Sequence, residues 1–150
     1  MKIRHILRSV LVGLLLLSSA AHAQLVSVTS LKGQVVYLDF WASWCTPCKV
    51  SFPFMNELHE QLGNKGLVVL AVNLDEQRAA ADRFLAQTPA KFRIAYDPKG
   101  VTPEHYTVKA MPTAVLIDRK GQVRHVHAGF READKKDLRA QVEALLKEAP

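Results

Sequence analysis

The chain has 150 residues, 49% of them hydrophobic and 23% charged, with a formal net charge of +6. That length and composition describe one domain with a sizeable core and exclude intrinsic disorder. Its basic residues are scattered and never run beyond the doublets Arg119-Lys120 and Lys135-Lys136, which excludes a nucleic-acid footprint.

Residues 1–23 read as a secretory signal peptide. Lys2, Arg4 and Arg8 form a basic start, Val10 to Leu17 an apolar run, and Ala21-His22-Ala23 an A-x-A cleavage pattern. The apolar run is well short of the roughly 20 residues that span a bilayer, so an uncleaved inner-membrane anchor is the second reading. The expected product is a periplasmic domain, 24–150. Its net charge is +3, because the leader holds three of the 20 basic residues and none of the 14 acidic ones.

Gln34 to Trp41 (QVVYLDFW) is a near-continuous apolar run rich in β-branched and aromatic residues, the pattern of a strand covered on both faces. From Pro47 to Leu62 the period changes: Val50, Phe54, Leu58 and Leu62 recur at i+4, with Gly63 as a stop signal and Pro53 as a bend. Leu67 to Asn73 is a second buried strand, and Glu76 to Gln87 a helix. Phe92 to Tyr96 is a short strand before the turn Asp97 to Gly100, and Thr102 to Tyr106 a brief helix. Ala114 to Asp118 and Gln122 to Ala128 form a hairpin around Asp118-Arg119-Lys120-Gly121. Ala133 to Glu148 is an amphipathic helix with Leu138, Val142, Leu145 and Leu146 on one stripe. The order predicts an α/β fold with a central mixed sheet flanked by helices.

Cys45 and Cys48 are the only cysteines and stand two residues apart. In an exported chain a structural disulfide closes a long loop, whereas a bond between these two closes almost nothing and is easily reduced. Following a strand and opening a helix, Cys45 meets unpaired N–H groups and the positive end of the dipole, which favour its thiolate. It is the expected nucleophile, and Cys48, one turn on, the resolving thiol. Lys49 adds a positive charge nearby. Asp39 interrupts the buried strand that leads to the pair; without a partner there it would hold its proton at neutral pH, and it is the expected base for Cys48. Trp41 is expected in the core and Trp44 as an apolar wall over the disulfide. His125 and His127 alternate along one strand face and could in principle join the cysteines around zinc, although their hairpin should lie away from them.

The stretch DFWASWCTPCK, the helix proline Pro53, Met111-Pro112-Thr113 before a strand, and Gly129 after the hairpin together resemble the thioredoxin fold. VVLAVNLDE beside WASWCTPCK narrows the resemblance to the exported TlpA/ResA group of thiol-disulfide oxidoreductases. The resemblance implies a helix-strand insertion before the Pro112 loop and a cis peptide at Pro112. It also implies a substrate-facing surface made by Trp44, Thr46, Pro47, Met111 and Pro112. Glu76 falls where some members place an acid near the cysteines, and it reads equally as a helix N-terminal acid. Many members carry Asn at the position of Asp39, and the segment before Lys32 is short for their N-terminal hairpin.

The expected activity is an exported protein-disulfide reductase, with no cofactor beyond the Cys45–Cys48 dithiol and no metal. Acting as a monomer, it would take protein disulfides as substrates and be re-reduced by a membrane donor of the DsbD/CcdA kind. Its implied place is the maturation of c-type cytochromes or copper oxidases. The alternatives are an oxidase that donates its disulfide and a copper- or zinc-binding module without turnover.

Overall fold

The computed structural model describes residues 25–149, so the leader read in residues 1–23 lies outside the described residues. A 3₁₀ turn at Thr29–Leu31 precedes β1 (Val35–Trp41), α1 (Thr46–Leu62) and a second 3₁₀ turn, Gly63–Lys65. Then come β2 (Leu67–Asn73), α2 (Arg78–Gln87), β3 (Arg93–Tyr96), α3 (Val101–His105), β4 (Thr113–Ile117), β5 (Val123–Ala128) and α4 (Asp134–Lys147). The five strands form one sheet in the order β3-β2-β1-β4-β5. β1 and β2, and β2 and β3, pair in parallel, while β4 runs antiparallel to both β1 and β5. This is the mixed sheet of a thioredoxin-like fold, with α2 and β3 as the helix-strand insertion ahead of the Pro112 loop.

Every residue of β1 and of β2 is buried, which is why both read as near-continuous apolar runs. Alternation along β1 sends Val35, Tyr37 and Trp41 to a core shared with α1, α2 and α4, and Val36, Leu38 and Phe40 to the opposite core. That second core is closed by Leu31 and, more loosely, by Val26, Val28, Tyr106 and Val108.

One expectation for α1 needs correction. Val50 is 41% exposed, whereas Phe54, Leu58 and Leu62 are buried together with Cys48, Phe52 and Met55. Steps of four residues drift about 40° each around a helix of 3.6 residues per turn, so Val50, at the start of the run, falls off the buried face. α1 ends at Leu62 with Gly63 as its C-cap, as the stop signal predicts; Gly63 is right-handed (φ −57) and leads into the 3₁₀ turn, which the chain leaves through Gly66, whose φ of 100 suits glycine. α1 continues through Pro53. Ahead of β1 there is a 3₁₀ turn and no hairpin among the described residues.

The junction between β1 and α1 rests on an aromatic cluster. Phe52 is fully buried, with ring centroids 5.0 Å from Trp41, 5.0 Å from Phe84 and 5.3 Å from Phe92. Such edge-on pairs add to the burial of the rings themselves. Phe52→Ala is expected to cost about 3–5 kcal/mol of stability, read as a lower denaturation midpoint in guanidinium chloride.

Candidate active site

The loop after β1 turns tightly, with the Cys45 N–H donating to the Ala42 carbonyl at 3.1 Å and the Cys48 N–H to the Cys45 carbonyl at 3.2 Å. Cys45 is the N-cap of α1, Pro47 lies in its first turn where no backbone donor is missed, and no acid stands in that turn. The free N–H groups of the helix therefore face the cysteines without a competing carboxylate. Cys45 and Cys48 are joined in a disulfide, with Cα atoms 5.3 Å apart; Cys45 is 4% exposed and Cys48 fully buried. Of the two sulfurs, Cys45 is the one a partner can approach.

Asp39 lies in the middle strand of the sheet, between Ala71 of β2 and Ala114 of β4, and is 1% exposed. Its Oδ2 has no hydrogen-bond partner. Strand alternation puts it on the same face as Tyr37 and Trp41, the face covered by the helix that carries Cys48. Burial pushes its carboxyl well above the usual carboxylate range. The Tyr37 hydroxyl is pushed up as well, first by burial and then by the charge of Asp39. An acid desolvated in this way holds its proton more tightly than an exposed carboxyl, which makes it a stronger base once ionised.

An open groove of about 650 Å³ runs beside the disulfide. Trp44 to Pro47 line it together with Val108 to Met111, Leu74 and Pro103. Trp44 is 69% exposed, whereas Trp41 is fully buried. The Met111–Pro112 peptide is cis, the Pro112 carbonyl accepts the Gly129 N–H at 2.7 Å, and Thr113 Oγ1 donates to the Ala110 carbonyl at 2.7 Å. Met111 reaches the groove; Pro112 is buried and does not line it.

Cys45, Cys48, Trp44, Thr46, Pro47 and Met111 are thus gathered at one end of the sheet, with Asp39 set into its core. Glu76 is not brought to them. It precedes α2, which begins only at Arg78, is exposed, and makes no hydrogen bond among the described residues. The acid that touches the cysteine loop is its neighbour Asp75, 8% exposed, which accepts the Ser43 N–H at 2.9 Å and the Ser43 hydroxyl at 2.8 Å. Strand register was the missing signal: β1 and β2 are parallel with Trp41 opposite Asn73, so residues two positions beyond each end, Ser43 and Asp75, come face to face. Lys49 places its ammonium 6.0 Å from the centre of the Phe84 ring. His127 Nε2 lies 3.3 Å from Asp134 Oδ2, on α4. No group of three or more metal-ligating side chains is brought together among the described residues.

Comparison with known proteins gives a consistent match. The Redoxin family model covers residues 10–142. Thiol-disulfide oxidoreductase ResA of Bacillus thuringiensis subsp. konkukian is 34% identical over 122 residues, which span 81% of this chain and 67% of the relative. A crystal structure from Chlorobium tepidum, described as thiol:disulfide interchange protein DsbE, is 55% identical with a TM-score of 0.78, covering 79% of this chain and 84% of its own. The exposed lipoprotein thioredoxin Etrx1 of Streptococcus pneumoniae is 31% identical with a TM-score of 0.69, covering 79% of this chain and 90% of its own.

The buried Asp39 carries a pH signature. Its folded pKa is raised above the unfolded value, so the folded state binds the proton more tightly. Folded-state stability is therefore undiminished below the unfolded pKa and falls as pH rises toward the folded one. Asp39→Asn removes this dependence. It should stabilise the protein little at pH 4 and increasingly above it, by about 1.4 kcal/mol per pH unit until Asp39 itself ionises. Thermal melts of both proteins from pH 4 to 9 read the effect; parallel melting curves would show that Asp39 is not held protonated.

Proposed function

The chain belongs to the Redoxin family as a ResA-like thiol-disulfide oxidoreductase, and from that premise we propose that it is an exported reductase of protein disulfides. The single observation that carries this reading is the join of Cys45, at the open end of α1 beside the groove, to a buried Cys48, with Asp39 on the sheet face that α1 covers.

In the reduced protein, the Cys45 thiolate attacks one sulfur of a substrate disulfide. A Cys45–substrate bond forms, and the other substrate sulfur leaves as a thiolate. Asp39, once it has lost its own proton to solvent, takes the proton from Cys48, whose sulfur attacks Cys45 Sγ and expels the second substrate sulfur. The substrate gains two electrons and the protein ends as the Cys45–Cys48 disulfide, the state of the structure. Trp44, Thr46, Pro47 and Met111 present an extended substrate segment to Cys45, with Pro112 shaping the Met111 backbone. Glu76, exposed and without a hydrogen bond among the described residues, takes no step in this sequence.

Export follows from removal of residues 1–23, which would release a monomeric domain over 24–150 to the periplasm. There the oxidised pair needs an electron source, for which a membrane donor of the DsbD/CcdA kind is the fitting class. The implied substrates are haem-attachment cysteines of apocytochromes c or the copper-site cysteines of oxidases. No helix among the described residues is long and apolar enough to cross a membrane.

An oxidase is the second reading, and it differs in potential: a pair near roughly −270 mV reduces, one near roughly −120 mV oxidises. Where Asp39 is ionised it disfavours a second negative charge beside it, which disfavours the thiolate and so supports the reducing direction. Cys48→Ser tests the roles directly. Cys45 should still attack but find no resolving thiol, so physiological substrates accumulate as mixed disulfides visible on non-reducing gels. Trapping by Cys45→Ser instead would reverse the assignment. Asp39→Asn should slow turnover about 10²-fold while leaving the first attack intact, measured as release against formation of the mixed disulfide.

A further inference from the structure

Asp75 takes no part in the exchange steps, yet it is held as tightly as any side chain near the cysteines. Its Oδ2 accepts the Ser43 N–H at 2.9 Å and the Asn73 Nδ2–H at 2.7 Å, and its Oδ1 accepts the Ser43 hydroxyl at 2.8 Å. Its own N–H donates to Asn73 Oδ1 at 3.1 Å. Asn73 is the last residue of β2 and fully buried, so the carboxylate is anchored to the centre of the sheet. Between them, Leu74 donates its N–H to the Trp41 carbonyl at 2.9 Å and lines the groove. This short extension of β2 therefore does two things: it forms part of the groove, and it holds the loop that leads to Cys45.

Beyond Ser43 the loop has only Trp44 before the sulfur, and the indole of Trp44 is mostly in solvent. The last fixed point before Cys45 on this side is thus the Ser43–Asp75 contact. A displacement of the order of 1 Å there moves Trp44 and Cys45 together relative to Val108 to Met111 across the groove, and misplacements of that size are costly to reactions between two oriented partners. A small reagent that needs only the sulfur is indifferent to it.

We propose that Asp75 is a positioning residue: through Ser43 it sets the Trp44–Cys45 segment at the register in which a polypeptide disulfide is presented to Cys45. This rests on Cys45 being the attacking sulfur and is independent of the direction of electron flow.

The test compares two readouts: exchange with insulin, as reduction of its disulfides by the dithiol protein and oxidation of its thiols by the disulfide form, and alkylation of the dithiol protein by iodoacetamide, with the alkylated cysteine identified by mass. Asp75→Ala should lower kcat/KM for insulin about tenfold or more and leave alkylation of Cys45 within about twofold. Asp75→Asn should recover most of the loss, because its amide oxygen can face the two N–H donors while the Ser43 hydroxyl turns to accept from its NH₂. Ser43→Ala, which removes only the hydroxyl bond, should lose about threefold on insulin and add nothing to Asp75→Ala. Unchanged insulin exchange in Ser43→Ala overturns the proposal even where Asp75→Ala fails to fold. Equal losses in Asp75→Ala and Asp75→Asn, or a parallel fall in alkylation, would assign Asp75 to charge instead of position. A loss found in Glu76→Gln and absent from Asp75→Ala would overturn it as well. Alkylation of Cys48 in the unmodified protein would defeat the prior reading of Cys45, an outcome separate from the behaviour of the variants.

Discussion

The parallel pairing of β1 with β2, both buried on both faces, is the constraint on which the rest of the molecule depends. Two strands sunk this deeply have no freedom to slip, since a shift of one residue would exchange the contents of the two cores. Their C-terminal ends are therefore fixed side by side, and what leaves those ends is fixed as well: the cysteine loop from β1 and the Leu74-Asp75 extension from β2. β4 completes the arrangement from the other side, because its pairing with β1 brings the segment before Thr113 to the same end of the sheet. Reactive groups on loops, held by a rigid sheet beneath, are the usual division of labour in α/β proteins.

Asp39 sits within this frame at a position that packing alone would fill with an apolar residue. A carboxyl in the central strand with an unpartnered oxygen is a local conflict, and such conflicts persist where function requires them. The surroundings limit the damage: both lateral neighbours are alanines, and neighbouring Tyr37 and Trp41 on its strand face are large enough to seal the site from water. Desolvation raises the group's proton affinity, and the same desolvation withholds stability from the fold.

The fold was largely legible in the sequence. The two buried strands and the terminal helix emerged within one or two residues of their observed bounds because their apolar patterns are long and unambiguous. The α1 stripe failed only at Val50, because spacing by four approximates 3.6 only over one or two steps. Gly63 marked the end of α1 correctly, though the left-handed backbone that glycine permits is taken up three residues later, by Gly66. At the site, Cys45, Cys48 and Asp39 stand out in the sequence because each is an unusual residue type for its place in the chain. Asp75 did not, because its partner is 32 positions away and only the strand register brings it near. Next to it, Glu76 read equally as an acid near the cysteines and as a helix N-terminal acid, and it proves to be exposed ahead of α2.

The disulfide joins residues three apart, and that separation bears on how the molecule survives its own chemistry. A cross-link stabilises a protein by restricting the unfolded chain, and so short a ring restricts it hardly at all. One core includes Cys45 and Cys48 among some twenty other buried side chains and the other core includes neither, so neither depends on the bond for its closure. Opening it in each cycle therefore leaves the structure standing, and the protein keeps a breakable covalent bond in its wall without making that bond part of its foundations.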